Sequence, residues 1–336
     1  MGGRWLRIWL SRALRCIGLR GGRQGRRLDT MPRRGETVGG YWGRMAAAQD
    51  PDCPAFPGAW TSHPTVRAAV MRRISGREGV EWIQWVREEF LPEGVENALS
   101  LGCGGGAHER KAMEVGLCRR VEGVDISPEA VEAAQERARK MGLKGITYRV
   151  ADLNTLELPS SSYDLVLSAQ SLHHVQALEH LLDQVRQALR PGAWLVLNEY
   201  VGPSRFQWTE EQLAIVNRLL RELPVEMRRF GGPGGPVRRE IPRPNPDDLA
   251  AEDPSEAVRS AEILPLVAAR FEVVAQRDFG GTILNPLLER IVPNFDPDEE
   301  KDVAILRLLA AFEEVLLGGG LVSSDFAVVV ARRPAD

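Results

Sequence analysis

Between Leu101 and Ala107 the chain reads L-G-C-G-G-G-A. Glycines there let backbone come close to a bound molecule, because no Cβ stands in the way. Gly102, Gly104 and Ala107 satisfy G-x-G-x-x-A spacing, and the helix that should follow offers N–H groups to polar or anionic atoms. Asp125 closes the next apolar run about twenty residues on, where a carboxylate can take ribose hydroxyls. These two features suit a nicotinamide dinucleotide as well as other adenosine cofactors, and a purely structural tight turn looks the same. Farther on stand adjacent His173 and His174. An ordinary imidazole pKa near ~6.5 equips either one to take a proton from a hydroxyl or amine. The bland alternative has one ring packed in the core and the other bonded to backbone. Glu199 and Tyr200 end a later apolar run, Glu199 as a second base, a substrate ligand or one half of a structural salt bridge.

The elements that must hold these residues follow from periodicity. Residues 59–91 read as helical, and Pro92 stops the run. From residue 98 strands and helices alternate. ALSL (98–101), VEGVD (121–125), ITYRV (146–150), YDLVLSA (163–169) and AWLVLNEY (193–200) read as strands. Helices read at 107–116, from the Ser127 cap to Met141, and at 178–189. Helix 256–269, strand 271–279 and a last strand at 325–333 complete the pattern. Such alternation calls for a doubly wound α/β fold, its mostly parallel sheet covered on both faces. The expected organisation is a basic extension over 1–40, N-terminal helices over 41–96, and a cofactor-binding core over 97–202, 257–280 and 319–336. Insertions occupy 203–256 and 281–318.

Composition removes several classes. Apolar residues at 43% and charged residues at 26% describe an ordinary globular chain, and no apolar run reaches the ~18 residues of a membrane span. Residues 1–34 carry ten Arg and one Asp although the whole chain sums to −3, so the body is acidic. An acidic body disfavours nucleic acid as a partner. The stretch 1–20 places Trp5, Ile8, Trp9, Ala13 and Ile17 near one helical face, which leaves weak membrane contact open. The plainer expectation is a disordered extension that adds nothing to the fold, with Met31 or Met45 as the true start. Cys16, Cys53, Cys103 and Cys118 form no C-x-x-C pair, so no metal site is expected, and reduced thiols fit a cytoplasmic protein.

In order, ALSLGCGGGAHE, VEGVDIS, VADLNTLELP, YDLVLSAQSLHHV and LRPGAWLVLNE resemble the motifs of class I, S-adenosylmethionine-dependent methyltransferases. The match is dense from 98 to about 200 and looser beyond. A seven-stranded sheet is the fold implied, with S-adenosyl-L-methionine as cofactor. The resemblance assigns the cofactor to Gly102, Cys103, Gly104, Gly106, Asp125, Ile126, Asp152, Leu153 and Ala169. Asp125 would hold the ribose, Asp152 the adenine amino group and Leu153 its ring. One departure is Ser100, where the family usually has an acidic residue. His173, His174 and Glu199 become the catalytic candidates. EYVGPSRFQW (199–208) and DPSEAVRS (253–260) are shared with a bacterial subfamily.

Both insertions should leave the sheet at its carboxyl edge and stand over the site as a lid. Tyr200, Arg205 and Trp208 are the expected acceptor contacts. Arg228, Arg229, Arg238, Arg239, Arg243 and Arg259 suggest a small, anionic acceptor, against the alternative of a solvated basic face. A macromolecular or lipid acceptor is the competing reading. SAQS (168–171) stands where methyltransferases of nucleobase amino groups carry an N-P-P-Y-like run. Neither the accepting atom nor the oligomeric state is legible.

Overall fold

The computed structural model describes Gly40 and residues 58–335. The expectations for 1–39 and 41–57 lie outside the described residues. After a single 3-10 turn (Trp60–Ser62) come helices α1 (Pro64–Ser75) and α2 (Trp82–Glu89). His63 caps α1 by accepting the Thr65 N–H at its Nδ1, and Gly76 ends the helix at a left-handed φ of 73°. Both ends follow the usual logic of a polar cap and a terminal glycine.

Strand–helix alternation then proceeds as the sequence predicts: β1 (Val95–Leu101), α3 (Ala107–Glu114), β2 (Cys118–Asp125), α4 (Pro128–Lys140), β3 (Ile146–Val150), β4 (Tyr163–Ala169), α5 (Leu178–Ala188) and β5 (Leu189–Tyr200). Ser127 caps α4 through Oγ, which accepts the Ala130 N–H at 3.2 Å. The first insertion holds α6 (Glu210–Glu222) and α7 (Pro246–Glu252). After it come α8 (Ile263–Ala268) and β6 (Glu272–Gly280). The second insertion holds α9 (Leu284–Leu288) and α10 (Glu300–Gly318), and β7 (Phe326–Arg332) closes the chain. No described helix is long and apolar enough to cross a membrane.

The seven strands lie in the order β3-β2-β1-β4-β5-β7-β6. β7 is antiparallel to both β5 and β6, while the β1–β5 pairings are parallel. The order reverses between β1 and β4, which opens a crevice beyond their carboxyl ends, the usual place for a ligand in such sheets. Side chains alternate across the sheet as strand geometry requires. Leu165, Leu167, Val196, Val328 and Val330 pack on the side of α1 and α2. Val166, Leu195, Leu197, Val329 and Ala331 pack against α5 and α8 on the other.

Two elements differ from expectation. β5 starts at Leu189 rather than 193, because Leu189 already pairs with Tyr163. The register shift between Tyr163 and Leu165 absorbs Pro191-Gly192. The helix expected over 256–269 shrinks to a 3-10 turn (Ser260–Glu262) followed by α8. Its first residues are diverted to the edge of the sheet, where Val258 N–H donates to the His173 carbonyl at 3.0 Å.

The two insertions also hold each other. Gln212 on α6 donates to the Thr282 carbonyl at 2.7 Å and to Asp325 at 3.1 Å. Val216 and Leu220 share an apolar cluster with Leu284 and Leu287. Glu313 of α10 accepts the N–H groups of Gly281, Ile283 and Leu284 and so caps α9 from outside.

Candidate active site at the carboxyl edge of the sheet

The glycine turn is shaped by three different demands. A Cβ on Gly102 would lie 2.3 Å from the Ser171 Cβ, so the turn must be bare there for the loop after β4 to pass. A Cβ on Gly106 would meet the Tyr148 hydroxyl at 2.4 Å and the Ala134 methyl at 2.9 Å, so this glycine lets α4 and β3 close in. Gly104 is different. Its φ is +48°, and nothing lies within 4 Å of its missing Cβ. That open space is where a ligand can approach backbone. Cys103, expected at the cofactor, instead turns its thiol into the cluster of Val131, Ala134, Ala138 and Tyr148. Burial, then the charges of Glu109 and Asp125, push that thiol well above its usual pKa. What Cys103 can offer a ligand is therefore backbone.

Asp125 ends β2 with its carboxylate largely buried. Oδ2 accepts the Gly104 N–H at 2.8 Å and Oδ1 the Ser127 N–H at 2.9 Å. Burial raises its pKa and the backbone donors oppose that rise. Each oxygen keeps a second lone pair for a hydroxyl donor. Next to it Ile126 is 42% exposed, an apolar side chain lying open beside a polar anchor. Asp152 spends Oδ1 on the N–H and amide of Asn154, both at 2.9 Å. The turn-forming role and a ligand role thus coexist on one carboxylate. Leu153 and Ala169 are half-buried along the same edge.

Ser100, where an acidic residue was expected, donates from Oγ to Glu109 of α3. The missing carboxylate is thus supplied from the following helix. Burial raises Glu109 to about 7, with the Ser100 hydrogen bond opposing. Its other oxygen, Oε2, is buried without a partner.

The histidine pair forms a 3-10 turn just after β4 (Leu172–His174). Glu199 near the end of β5 is fully buried and organises that turn. Its Oε2 accepts the N–H groups of Ser171 and Leu172 at 2.9 and 2.8 Å, and its Oε1 lies 2.5 Å from His173 Nδ1. Ser171 also donates to the Leu101 carbonyl at 2.8 Å, so the histidines are tied directly to the glycine turn. On the far side stands Glu256, 3.8 Å from His173 Nε2 and 4.0 Å from His174 Nε2. The two rings are 4.2 Å apart. Burial alone would lower His173, but the charges of Glu199, Glu256 and Asp253 and the Glu199 bond leave its pKa raised. Burial and the neighbouring His173 push His174 well below the usual range. Burial raises Glu256, against the attraction of His173. Glu256 and Asp253 belong to DPSEAVRS, a run recognisable in the sequence without any sign that it folds back onto residues 173–174.

Three expected acceptor contacts prove to have other work. Tyr200 is buried behind His173, ring edge toward it at 6.1 Å, and its hydroxyl donates to the Pro203 carbonyl. Arg205 gives its guanidinium to the carbonyls of Asp253, Glu256 and Pro254, so it fastens the segment that carries Glu256. Trp208 packs on Phe206 at 5.4 Å and is itself buried, its Nε1 without an acceptor. Four of the other lid arginines are similarly engaged, while Arg228 keeps its Nε buried without an acceptor. Arg229 and Arg238 reach carbonyls, Arg243 reaches a carbonyl and Glu210, and Arg259 binds Glu179 and Glu262.

Residues 99–197 match a family model described as a methyltransferase domain. The chain is 27% identical over 192 residues to the 27-O-demethylrifamycin SV methyltransferase of Amycolatopsis mediterranei, covering 54% of this chain and 70% of that protein. It is 32% identical over 111 residues to the demethylmenaquinone methyltransferase of Tropheryma whipplei, 33% of this chain and 44% of the relative. A solved S-adenosylmethionine-dependent methyltransferase from Mesorhizobium loti aligns with a TM-score of 0.45 at 23% identity, over 75% of this chain and 98% of that one. Residues 99–197 are a methyltransferase domain, and the chain is an S-adenosylmethionine-dependent methyltransferase with the class I fold.

For this methyltransferase the nicotinamide alternative falls away, and S-adenosylmethionine is the cofactor. The residues present fit it: an open cradle at Gly104, a two-oxygen anchor at Asp125 and an exposed apolar wall at Ile126. The cofactor supplies an activated methyl group, so the protein's share is to bind, to position the acceptor and to take a proton.

Proposed function

We propose that the methyltransferase acts on a small, hydroxyl-bearing molecule, with His173 as its proton acceptor. The observation that carries this is the buried Glu199–His173 pair, joined through Ser171 to the glycine turn. Glu199 accepts at Nδ1, so the neutral ring holds its proton there and presents Nε2 as the basic atom. Asp125, Asp152, Ile126 and Leu153 hold the cofactor's nucleoside end in this reading. S-adenosylmethionine would supply the methyl group and leave as S-adenosylhomocysteine, its sulfur keeping the electron pair of the broken carbon–sulfur bond, while the proton of the acceptor's hydroxyl would pass to His173 Nε2.

A neutral acceptor is favoured over an anionic one because Arg205, Arg229, Arg238, Arg243 and Arg259 are committed within the lid and its surroundings, which leaves Arg228 and Arg239, and the nearest charges to His173 are carboxylates. A small acceptor is supported by the relative named for a demethylrifamycin. The lipid or macromolecular alternative had rested on residues 1–34.

Calorimetry with S-adenosylhomocysteine and NADH tests the cofactor side, with binding of the first alone expected. Transfer of labelled methyl groups to a panel of phenols, enols and secondary alcohols tests the acceptor side. Labelling confined to lipid or RNA fractions would overturn the small-molecule reading.

A further inference from the structure

Three carboxylates and two imidazoles meet at the lid–sheet junction in a way that a proton relay alone leaves unexplained. Glu199, with two backbone N–H groups on Oε2, is an acceptor for His173 Nδ1. Ser255 Oγ donates its own hydrogen to Asp253 Oδ1 at 2.6 Å, so its oxygen is the acceptor for His174 Nδ1 at 3.1 Å. Each imidazole is thereby set with its Nδ1–H outward, and both Nε2 atoms turn toward the two oxygens of Glu256. A proton on His173 answers Glu256 from one ring only, and the His174 ring beside it still turns a nitrogen lone pair toward the same carboxylate. The separations of 3.8 and 4.0 Å are too long for a hydrogen bond. They suit two ligands on a shared ion, whose bonds run about 2.0–2.2 Å.

A second observation points the same way. Asp253 Oδ2 is buried beside this group with no partner, so three carboxylates (Glu199, Asp253, Glu256) crowd two imidazoles. The guanidinium of Arg205 is directed at backbone carbonyls instead. The ligating atoms of His173, His174 and Glu256 lie within 4.8 Å of one another.

We propose that His173 Nε2, His174 Nε2 and the Glu256 carboxylate hold a divalent transition cation of zinc-like preference, with Glu199 and Ser255 as the outer groups that orient the two imidazoles. Two histidines and one carboxylate make a three-ligand set, which leaves a coordination position for water or an acceptor hydroxyl. The carboxylate–histidine–metal chain is the arrangement that fixes such ligands elsewhere. No Cys or His spacing in the sequence announces it, because the third ligand comes from the lid. The proposal rests on reading this cluster as the acceptor's end of the site. A cation held there would lower the pKa of an acceptor hydroxyl so that its proton could leave to solvent, and His173 would then serve as a ligand in place of a base.

The full chain, stripped with chelator and then dialysed, is titrated with Zn²⁺ or Mn²⁺ by calorimetry and with Co²⁺ by visible absorption. Tight binding of about one equivalent is expected, with a Co²⁺ spectrum of low coordination number. Proton NMR of the Co²⁺ form should show a shifted, exchangeable N–H from each histidine, since both bind through Nε2. Glu256→Gln and His174→Ala should abolish tight binding, and Glu199→Gln should weaken it about 10- to 100-fold. Calorimetry with S-adenosylhomocysteine is run on the same stripped protein. Cofactor binding without stoichiometric metal would overturn the cation site and leave His173 as the base. Metal binding without cofactor binding would keep the site and sink the methyl-transfer reading. Affinity unchanged in Glu256→Gln, with the Co²⁺ spectrum unaltered, would also overturn the cation site. The wild-type spectra stand as a test even where a variant fails to fold.

Discussion

On the cofactor side of the carboxyl edge, polar contacts run between near neighbours or to backbone. Asp125 bonds Ser127 two residues away and Gly104 across the turn, and Asp152 bonds Asn154. On the acceptor side they span the chain. His173 meets Glu199 26 residues on, and His174 meets Ser255 81 residues on. The first arrangement can form as soon as β1, β2 and their helices pack. The second exists only after the lid has folded back. A site built from local parts tolerates change elsewhere, whereas one built from distant parts is only as firm as what fastens them.

The sharpest break in this contrast comes at His173. His173→Ala should lower turnover at least about 100-fold, within the usual range for losing a positioned acid–base group. S-adenosylhomocysteine affinity should move little, since the ring touches the glycine turn only through Ser171. Equal losses in both would show that the two sides are one unit. Asp125→Ala is the converse. It removes the acceptor of the Gly104 and Ser127 N–H groups as well as the carboxylate proposed to hold the ribose. Cofactor affinity should fall about tenfold or more, a loss of roughly 1.4 kcal/mol. Unchanged affinity by calorimetry would take Asp125 out of the cofactor site.

Arg205 sharpens the comparison further. Its guanidinium holds the carbonyls of Asp253, Pro254 and Glu256, and its own N–H donates to Ala257 at 2.7 Å. Arg205 and Phe206 sit at positive φ (57° and 52°), as does buried Ala257 at 47°. Such backbone persists only when its surroundings hold it. Arg205→Ala should cost on the order of 1–3 kcal/mol, the scale of orphaned polar groups. Faster amide exchange should appear over 253–260, with protection at β1 and β2 kept. Exchange that speeds up uniformly would deny the lid its separate stability.

This contrast also explains what the sequence made legible. The strand–helix alternation, the glycine turn, Asp125 and the histidine pair follow from spacing along short stretches, and the turn, Asp125 and the histidines stand at the carboxyl edge of the sheet. Tyr200, Arg205 and Trp208 were read as acceptor contacts because they are functional residue types at the right rim. Their burial and hydrogen bonds depend on residues 203–257 closing over them, which no periodicity encodes. Glu256 escaped for the same reason. Ser100 looked like a lost contact because its replacement, Glu109, comes from the face of a helix whose approach to β1 is a matter of packing.

Glu109 gives an effect confined to one pH window, with a clean sign. Its pKa is about 7 in the folded protein, raised first by burial, against an ordinary 4.5. Between those values the folded chain holds a proton that the unfolded chain has released. Its contribution to stability is therefore full below about 4.5 and is lost as pH rises through about 7. Glu109→Gln keeps an oxygen for the Ser100 hydroxyl and has no proton to lose. The melting temperature of the variant should therefore fall less than that of the wild type between pH 5.5 and 8.5, conditions chosen to bracket the folded pKa. The difference should be on the order of 1–3 kcal/mol. Glu289 and Asp325, also raised to about 7 by burial, titrate in the same window, so the variant's slope should flatten without vanishing. Parallel slopes for the two proteins would mean that Glu109 is solvated in solution, and that the carboxylate beside Ser100 is not the closed, dry group that distinguishes the cofactor side. The same titration repeated with saturating S-adenosylhomocysteine reads whether the cofactor feels this proton, because a ligand that prefers one protonation state must shift the midpoint.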